Sequence, residues 1–183
     1  MNNALRLAKQ RLRLAGWDGL QPAIVVLGAK QRLYLLGAKP DGGKIRRNWP
    51  VSTGRAGFGN QQDSGRTPTG LHRVSATIGT DAPPGAVFKS RQPTGHIVVK
   101  SSDPNADFIT TRILWLEGLE PGINQGPGID TRERYIYIHG TPHTDHLGTP
   151  ASAGCIRMRA KHVIKLYRLV QPGTLTLILP DFP

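Results

Sequence analysis

Cysteine is almost absent from this chain of 183 residues, which holds only one, Cys155. A single cysteine excludes an intrachain disulfide, so the cysteine content does not indicate an oxidising or a reducing compartment. No apolar run approaches the ~20 residues of a membrane span, which excludes a transmembrane helix.

The N-terminus also lacks the parts of a secretory signal. Residues 1–16 are basic but contain no continuous apolar segment and no small-residue cleavage site. If residue 1 is the native start, we expect a cytoplasmic protein. A trimmed mature form would instead belong to the periplasm.

Positive charge is in excess, with a formal net charge of +12. Residues 1–47 hold ten Lys and Arg against two Asp, whereas residues 103–133 hold six acids and two Arg. Basic surface favours anionic partners, among which nucleic acid, anionic lipid and anionic glycopeptide all fit. One open hypothesis is therefore a non-catalytic protein that binds glycan or nucleic acid, although we expect no specific nucleic acid.

Glycine and proline are abundant, at 22 and 15 residues, while aromatic residues make up 6% of the chain. This composition is typical of a turn-rich, strand-rich fold, and the length suits one domain over residues 1–183. Residues 1–20 form a basic N-terminal extension with a helix at 3–14, whose Leu5, Ala8 and Leu12 face the domain. Further patterns predict a helix at 161–170 and strands at 23–27, 32–36, 44–53, 71–78, 110–116, 135–138 and 174–179. The fold class is mixed α/β, dominated by strands, with two or three short helices.

The chemistry concentrates between Tyr135 and Arg159. Cys155 follows His139 by sixteen residues, and His139 is predicted to end an apolar strand. A thiol attacks carbonyls as the thiolate, so at an ordinary pKa of ~8.5 it needs a nearby base or cation, and a histidine supplies the base. Gly154 lets the backbone turn tightly and direct N–H groups toward a developing oxyanion.

These residues resemble the signature of the L,D-transpeptidase (YkuD-type) family. The resemblance covers residues 22 to 180 and implies that family's β-sandwich. It is carried by His139-Gly140-Thr141, by Ser152, by Gly154-Cys155-Ile156-Arg157, and upstream by Val51-Ser52-Thr53-Gly54 and Thr67-Pro68-Thr69-Gly70.

The resemblance implies a role for each matching residue. Cys155 is the nucleophile, His139 the general base, and the carbonyl of Gly140 the acceptor that orients the imidazole. Backbone N–H groups of Gly154 and Cys155 hold the oxyanion. The implied substrates are peptidoglycan stem peptides or muropeptides, cut before a terminal D-Ala, with no metal or organic cofactor. We expect the enzyme to be a monomer.

Three further side chains are candidates for substrate binding, namely Arg157, Ser152 and Thr141. Arg157 can grip a carboxylate with its planar guanidinium, or can simply form an ion pair. Ser152 can orient substrate or cap the turn. One position departs from the family, because Ala153 stands where histidine is common; the base remains, but a nearby imidazole is lost.

Two alternatives stay open within this segment. The residues His139, His143, His146 and Cys155 are of types that bind zinc, although Gly140 and Pro142 argue against the helix that the i, i+4 spacing requires. We favour no metal, with His143 and His146 on a flap over the site. The acyl acceptor is either water, as in an L,D-carboxypeptidase of peptidoglycan recycling, which we favour, or an amine, as in cell-wall cross-linking or lipoprotein attachment.

Overall fold

Ten strands and two α-helices make up the described part of the chain, which in this computed structural model comprises residues 3–38, 43–101, 103 and 106–180. Met1 and Asn2 of the predicted extension lie outside these residues. The elements are α1 (Asn3–Leu14), β1 (Ala23–Leu27), β2 (Arg32–Leu36), β3 (Ile45–Pro50), β4 (Gly70–Ile78), β5 (Ala86–Lys89), β6 (Gln92–Ile97), β7 (Ile109–Gly118), β8 (Tyr137–Thr141), β9 (Ile156–Arg159), α2 (Ala160–Tyr167) and β10 (Leu175–Leu179).

All the strands belong to one curled sheet in the order β3-β2-β1-β10-β4-β7-β5-β6, with β8 pairing both β7 and β9. The pairs β1–β10 and β8–β9 are parallel, whereas the other neighbours are antiparallel. The β-dominated fold predicted from the sequence is confirmed. No helix among the described residues is long and apolar enough to cross a membrane.

Each face of the β1–β2–β10 region is covered by apolar side chains. On one face α1 packs through Leu5, Ala8 and Leu12, which are the residues that its helical periodicity predicts. On the other face lies the main core, to which β8, β9 and α2 contribute Ile138, Met158 and other buried residues. The curl of the sheet therefore brings β8 and β9 against β1–β3 and anchors the strands that carry Cys155 and His139.

The end of one strand was predicted wrongly. The sequence predicts a strand at 135–138 with His139 at its end, but β8 begins at Tyr137 and continues through Thr141. The reason is tertiary, since β9 gives β8 a parallel partner from Ile138 through Thr141. His139 is therefore held by ladder hydrogen bonds on both sides rather than at a free strand end.

A bulge in β7 lies directly opposite the histidine. The register shifts between Thr110 and Ile113, which pair with Gly140 and His139. Thr111 occupies the bulge with a φ of +71°, a strained conformation for a β-branched residue. Its hydroxyl accepts a hydrogen bond from the Gly85 N–H at 3.0 Å, which ties the start of the β5–β6 hairpin to this point.

Candidate active site

The parallel pairing of β8 and β9 places the nucleophile and the base on one face of the sheet. His139 lies opposite Arg157, and the residue two places before each, Tyr137 and Cys155, shares its face because side chains alternate along a strand. Cys155 is therefore the diagonal neighbour of His139 on this face, one strand across and two residues along. The fifteen residues between His139 and Cys155 form the crossover that returns the chain to the edge of β8.

His139 is fully buried, and its two ring nitrogens have different surroundings. Nδ1 lies 2.8 Å from the carbonyl oxygen of Gly140. Because a carbonyl only accepts hydrogen bonds, Nδ1 carries the hydrogen in the neutral ring and Nε2 keeps its lone pair. Nε2 is buried and has no hydrogen-bond partner among the described residues, which leaves it available as a base.

Gly140 has no room for a side chain. A Cβ there would lie 2.7 Å from the carbonyl oxygen of Thr110 and 2.9 Å from the side chain of Thr111. The glycine therefore allows the β7 bulge to pack closely against β8, next to the carbonyl that orients His139.

The Cys155 thiol lies between two backbone groups of the chain that leads into β8. Its Sγ accepts a hydrogen bond from the Tyr137 N–H at 3.3 Å and lies 3.6 Å from the Tyr135 carbonyl oxygen. The residue is partly exposed, and its sulfur packs against an apolar cluster that includes Phe88 and Ile113. Solvent or substrate can therefore reach the thiol from one side, whereas apolar side chains surround it on the other.

The charges around the thiol act in opposite directions. Burial raises the pKa of Cys155 to about 12, and the Asp107 carboxylate also raises it. The Tyr137 N–H and the positive charges of Arg157 and Arg134 lower it. At neutral pH the cysteine is consequently a thiol, because burial is the largest of these effects.

The imidazole is also uncharged. Burial lowers the pKa of His139 below its usual 6.5, and the Arg157 guanidinium lowers it further, against the Asp107 carboxylate and the Gly140 carbonyl. The resting pair is therefore a neutral thiol and a neutral base on one face of the sheet, and not a thiolate–imidazolium ion pair. Proton transfer must accompany attack on the substrate.

A network of hydrogen bonds shapes the loop that presents Cys155. The Ser152 hydroxyl donates to the Cys155 carbonyl at 2.6 Å and accepts from the Gly154 N–H at 3.1 Å. The Thr67 hydroxyl donates to the Gly154 carbonyl at 2.8 Å, which explains how the T-P-T-G segment contributes to the site. Gly154 itself has a φ of +123°, and a Cβ there would lie 3.1 Å from the Arg66 carbonyl oxygen.

The V-S-T-G segment supports the same loop from behind. Ser52 exchanges two backbone hydrogen bonds with Arg157, at 3.0 and 2.9 Å. The Thr53 carbonyl accepts from the Ala151 and Ser152 N–H groups, both at 2.9 Å. These bonds hold both ends of the nucleophile loop on one extended segment that follows β3.

Several predicted site residues are engaged within the protein. The Arg157 guanidinium binds Asp107, with Nε 3.0 Å and Nη2 2.7 Å from Oδ1. The Thr141 hydroxyl accepts from the His143 N–H at 3.2 Å. The Gly154 N–H is taken by Ser152, whereas the Cys155 N–H has no acceptor among the described residues and is free to bind an oxyanion. The catalytic and substrate-binding roles of all these residues stay predictions.

Two charged residues near the thiol were missed by the sequence analysis. Asp107 lies in a loop without a recognisable motif and approaches the site only through Arg157 and the Ala153 N–H, at 3.3 Å. Arg134 donates to the carbonyl oxygens of Gly59 and Arg66, at 3.1 and 2.6 Å. The concentration of acids in residues 103–133 was a signal, but it does not single out Asp107.

His143 and His146 follow Thr141-Pro142 and pack against other parts of the protein rather than around a metal. His143 is buried, and its Nε2 lies 2.7 Å from the Ala106 carbonyl oxygen. Its ring stacks on that of His146 with centroids 5.6 Å apart. Within residues 3–38, 43–101, 103 and 106–180, no three His, Cys, Asp or Glu side chains form a group that could hold a metal ion.

A cavity of about 470 Å³ opens beside the nucleophile loop. Its lining comprises Arg55, Ala56, Gly65, Asp107, Ala151, Ser152, Ala153 and Arg157. The cavity lies between the loop that presents Cys155 and the loop that follows Gly54, so it is suited to bind part of a substrate.

A cysteine thiol and a histidine base on one face of the sheet are the groups that cysteine acyltransferases use as nucleophile and general base. A family model of the L,D-transpeptidase catalytic domain matches residues 21–178. The chain therefore belongs to the L,D-transpeptidase catalytic-domain family, whose members are cysteine acyltransferases of cell-wall peptidoglycan. No curated protein matches the sequence.

Solved structures show the same fold at low sequence identity. An L,D-transpeptidase from Mycobacterium smegmatis is 19% identical with a TM-score of 0.51, and the match covers 87% of this chain and 58% of that one. Bd1075 from Bdellovibrio bacteriovorus is 15% identical with a TM-score of 0.55, covering 88% and 48%. L,D-transpeptidase 3 from Mycobacterium tuberculosis, in complex with a faropenem-derived adduct, is 18% identical with a TM-score of 0.50, covering 86% and 60%. The match spans only about half to three fifths of the length of these proteins.

Proposed function

We propose that this protein transfers the acyl group of a peptidoglycan tetrapeptide stem through a thioester on Cys155. The bond cut joins the L-centre of the stem's diamino acid to the terminal D-Ala. Membership of the L,D-transpeptidase family supports the substrate class. The observation that carries the proposal is the unpartnered Nε2 of His139 on the same face as the Cys155 thiol.

The first half-reaction uses the neutral pair. His139 Nε2 takes the proton from Cys155 Sγ as the sulfur attacks the carbonyl carbon of the diamino acid. The free Cys155 N–H donates to the resulting oxyanion. The carbon–nitrogen bond then breaks, and the D-Ala amine leaves with the proton from His139, so that the thioester and a neutral imidazole remain.

The second half-reaction regenerates the thiol. His139 takes a proton from the acceptor as the acceptor attacks the thioester carbonyl. The carbon–sulfur bond breaks, and the proton returns from the imidazolium to the sulfur. We propose water as the acceptor, which makes the protein an L,D-carboxypeptidase acting on muropeptides. Transfer to an amine, as in cross-linking or lipoprotein attachment, would use the same pair.

Incubation with a purified tetrapeptide muropeptide tests both statements. We expect release of D-Ala with the tripeptide as the accompanying product, and no release by Cys155→Ala. His139→Gln should also be inactive while Arg46→Gln, a change of an exposed arginine on β3, should keep full activity. Unchanged release by Cys155→Ala would overturn the mechanism. If cross-linked dimers or exchange with added D-amino acids were the dominant product, the acyl acceptor would be an amine and not water.

A further inference from the structure

Three charged side chains line the cavity beside the nucleophile loop, namely Arg55, Asp107 and Arg157. Arg157 is paired with Asp107, whereas Arg55 is a separate cation. A cavity of about 470 Å³ that presents the Arg55 guanidinium and the Asp107 carboxylate is suited to a ligand group that carries both charges.

The guanidinium of Arg55 is available to a ligand. The residue is exposed, and its side chain makes no hydrogen bond or ion pair among the described residues. Its backbone is fixed, because its N–H donates to the Ser152 carbonyl at 2.8 Å and the preceding Gly54 pairs with Ser152. The side chain therefore starts from a rigid position next to the nucleophile loop. A guanidinium is suited to bind a carboxylate with two parallel hydrogen bonds.

The carboxylate of Asp107 is held in place but not enclosed. Arg157 binds its Oδ1, and the Ala153 N–H donates to its Oδ2 at 3.3 Å. The Asp107 side chain still has a relative exposure of 34%, whereas that of Arg157 has only 6%. Arg157 is therefore occupied by Asp107. The pair presents the Asp107 carboxylate to the cavity, where it is fixed in position and can accept hydrogen bonds.

Ala153 leaves space between these two charges. Its methyl group lines the cavity at the position where histidine is common in the family. A bulkier side chain at this position would extend into the space that a ligand would occupy.

We propose that this cavity is a subsite for the free α-amino acid end of a diamino acid in the stem peptide. Arg55 binds the carboxylate of that end, and Asp107 accepts hydrogen bonds from its ammonium group. The inference rests on the proposed function and adds a basis for specificity. A diaminopimelate stem carries both charged groups, its carboxamide form lacks the carboxylate, and a lysine stem has only the ammonium.

The test compares D-Ala release from three tetrapeptide stems that differ only in the diamino acid: meso-diaminopimelate, the same residue with a carboxamide at its free end, and lysine. For the unmodified protein we expect kcat/KM to be about tenfold or more higher on the first stem, since hydrogen bonds between charged groups confer at least this selectivity. Arg55→Gln should remove that preference while changing the rates on the other two stems by less than about twofold. Arg46→Gln, which removes the same charge elsewhere, should leave the preference intact.

A second pair of variants tests the rest of the subsite. Asp107→Asn should weaken binding of the meso-diaminopimelate stem several-fold more than binding of the same stem with its free amine acetylated, as measured by calorimetry in the Cys155→Ala background. Ala153→His should raise KM for the meso-diaminopimelate stem more than it lowers kcat. Thermal unfolding shows whether each variant is folded. If Asp107→Asn does not fold, the comparison of the three stems with Arg55→Gln still tests the subsite.

The outcomes separate the two proposals. Equal rates of D-Ala release from the three stems, or a loss by Arg55→Gln that is the same on all of them, would overturn the subsite and leave the reaction standing. No release from any stem would overturn the reaction and the subsite with it.

Discussion

Oδ1 of Asp107 accepts hydrogen bonds from both Nε and Nη2 of Arg157, at 3.0 and 2.7 Å. The two residues are distant in sequence, and their charges act on the nucleophile in opposite senses. The carboxylate raises the pKa of Cys155, whereas the guanidinium lowers it. The reactivity of the thiol thus depends on a pair of which only one member lies in the recognisable motif.

Neutralising each partner should change the reactivity of Cys155 in opposite directions. Asp107→Asn is expected to lower the pKa of the thiol, and Arg157→Gln to raise it. A fall of one pKa unit gives ten times more thiolate but only about threefold faster alkylation, because a less basic thiolate is a weaker nucleophile. Rates of modification by iodoacetamide at pH 8, followed by mass spectrometry, measure this. Changes in the same direction for both variants would show that geometry, not charge, controls the thiol.

The alkylation rate of the unmodified protein should rise continuously with pH. Since the pKa of Cys155 is raised to about 12, the thiolate fraction increases about tenfold per pH unit throughout the range from 7 to 10. An ordinary cysteine levels off near its pKa of ~8.5. A plateau below pH 10 would contradict the neutral resting pair. Free cysteine under the same conditions is the control.

Alanine at Gly154 should destabilise the protein more than alanine at Gly126. The two glycines have nearly the same φ, +123° and +125°, so the backbone strain of an added Cβ is matched. That Cβ would lie 3.1 Å from the Arg66 carbonyl oxygen at Gly154 but would have no neighbour within 4 Å at Gly126. We expect Gly126→Ala to lower the free energy of unfolding by about 1–3 kcal/mol and Gly154→Ala to lower it further.

Urea denaturation at neutral pH measures the difference between these glycine variants. Gly154→Ala should also lose D-Ala release, because the loop that presents Cys155 must shift. Equal destabilisation by the two variants would show that the close approach to Arg66 does not lower the free energy of unfolding.

Acid should weaken the fold through His72. This histidine is fully buried between Gly70 and Thr131, with ring nitrogens 3.0 Å from the Gly70 carbonyl oxygen and 3.1 Å from the Thr131 hydroxyl. Burial lowers its pKa from 6.5 to about 4. Between these two values the unfolded chain binds the proton and the folded chain does not. Stability is therefore full above pH 6.5 and falls as the pH is lowered toward 4, by at most about 3 kcal/mol.

Two measurements test this prediction for His72. Its imidazole NMR signals should not titrate between pH 7 and 5, and free histidine under the same conditions is the control. Urea denaturation over the same range should show a falling free energy of unfolding. A His72 signal that titrates near pH 6.5 would rule out its contribution.

Local sequence patterns were sufficient to predict the elements whose buried residues recur at a regular spacing or form an apolar run. Apolar periodicity placed α1 at 3–14, and runs of apolar residues placed β1 and β2, since burial on one face leaves a trace in consecutive residues. The β5–β6 hairpin was missed because β6 exposes all of its residues and contains Pro93 and Gly95, so it has no such trace. β9 was missed because four residues are too short a run to predict a strand.

The fold class and the family were predictable from the sequence, because the cysteine, the histidine and their neighbouring glycines stand in the spacing of the family's signature. The protonation states of Cys155 and His139, and the charges around them, depend on the tertiary structure alone. Burial, which sets the pKa values of Cys155 and His139, arises from side chains distributed along the whole chain. Asp107 precedes β7 and reaches Arg157 of β9 because β8 pairs with both strands. Such long-range contacts leave no mark in the local sequence.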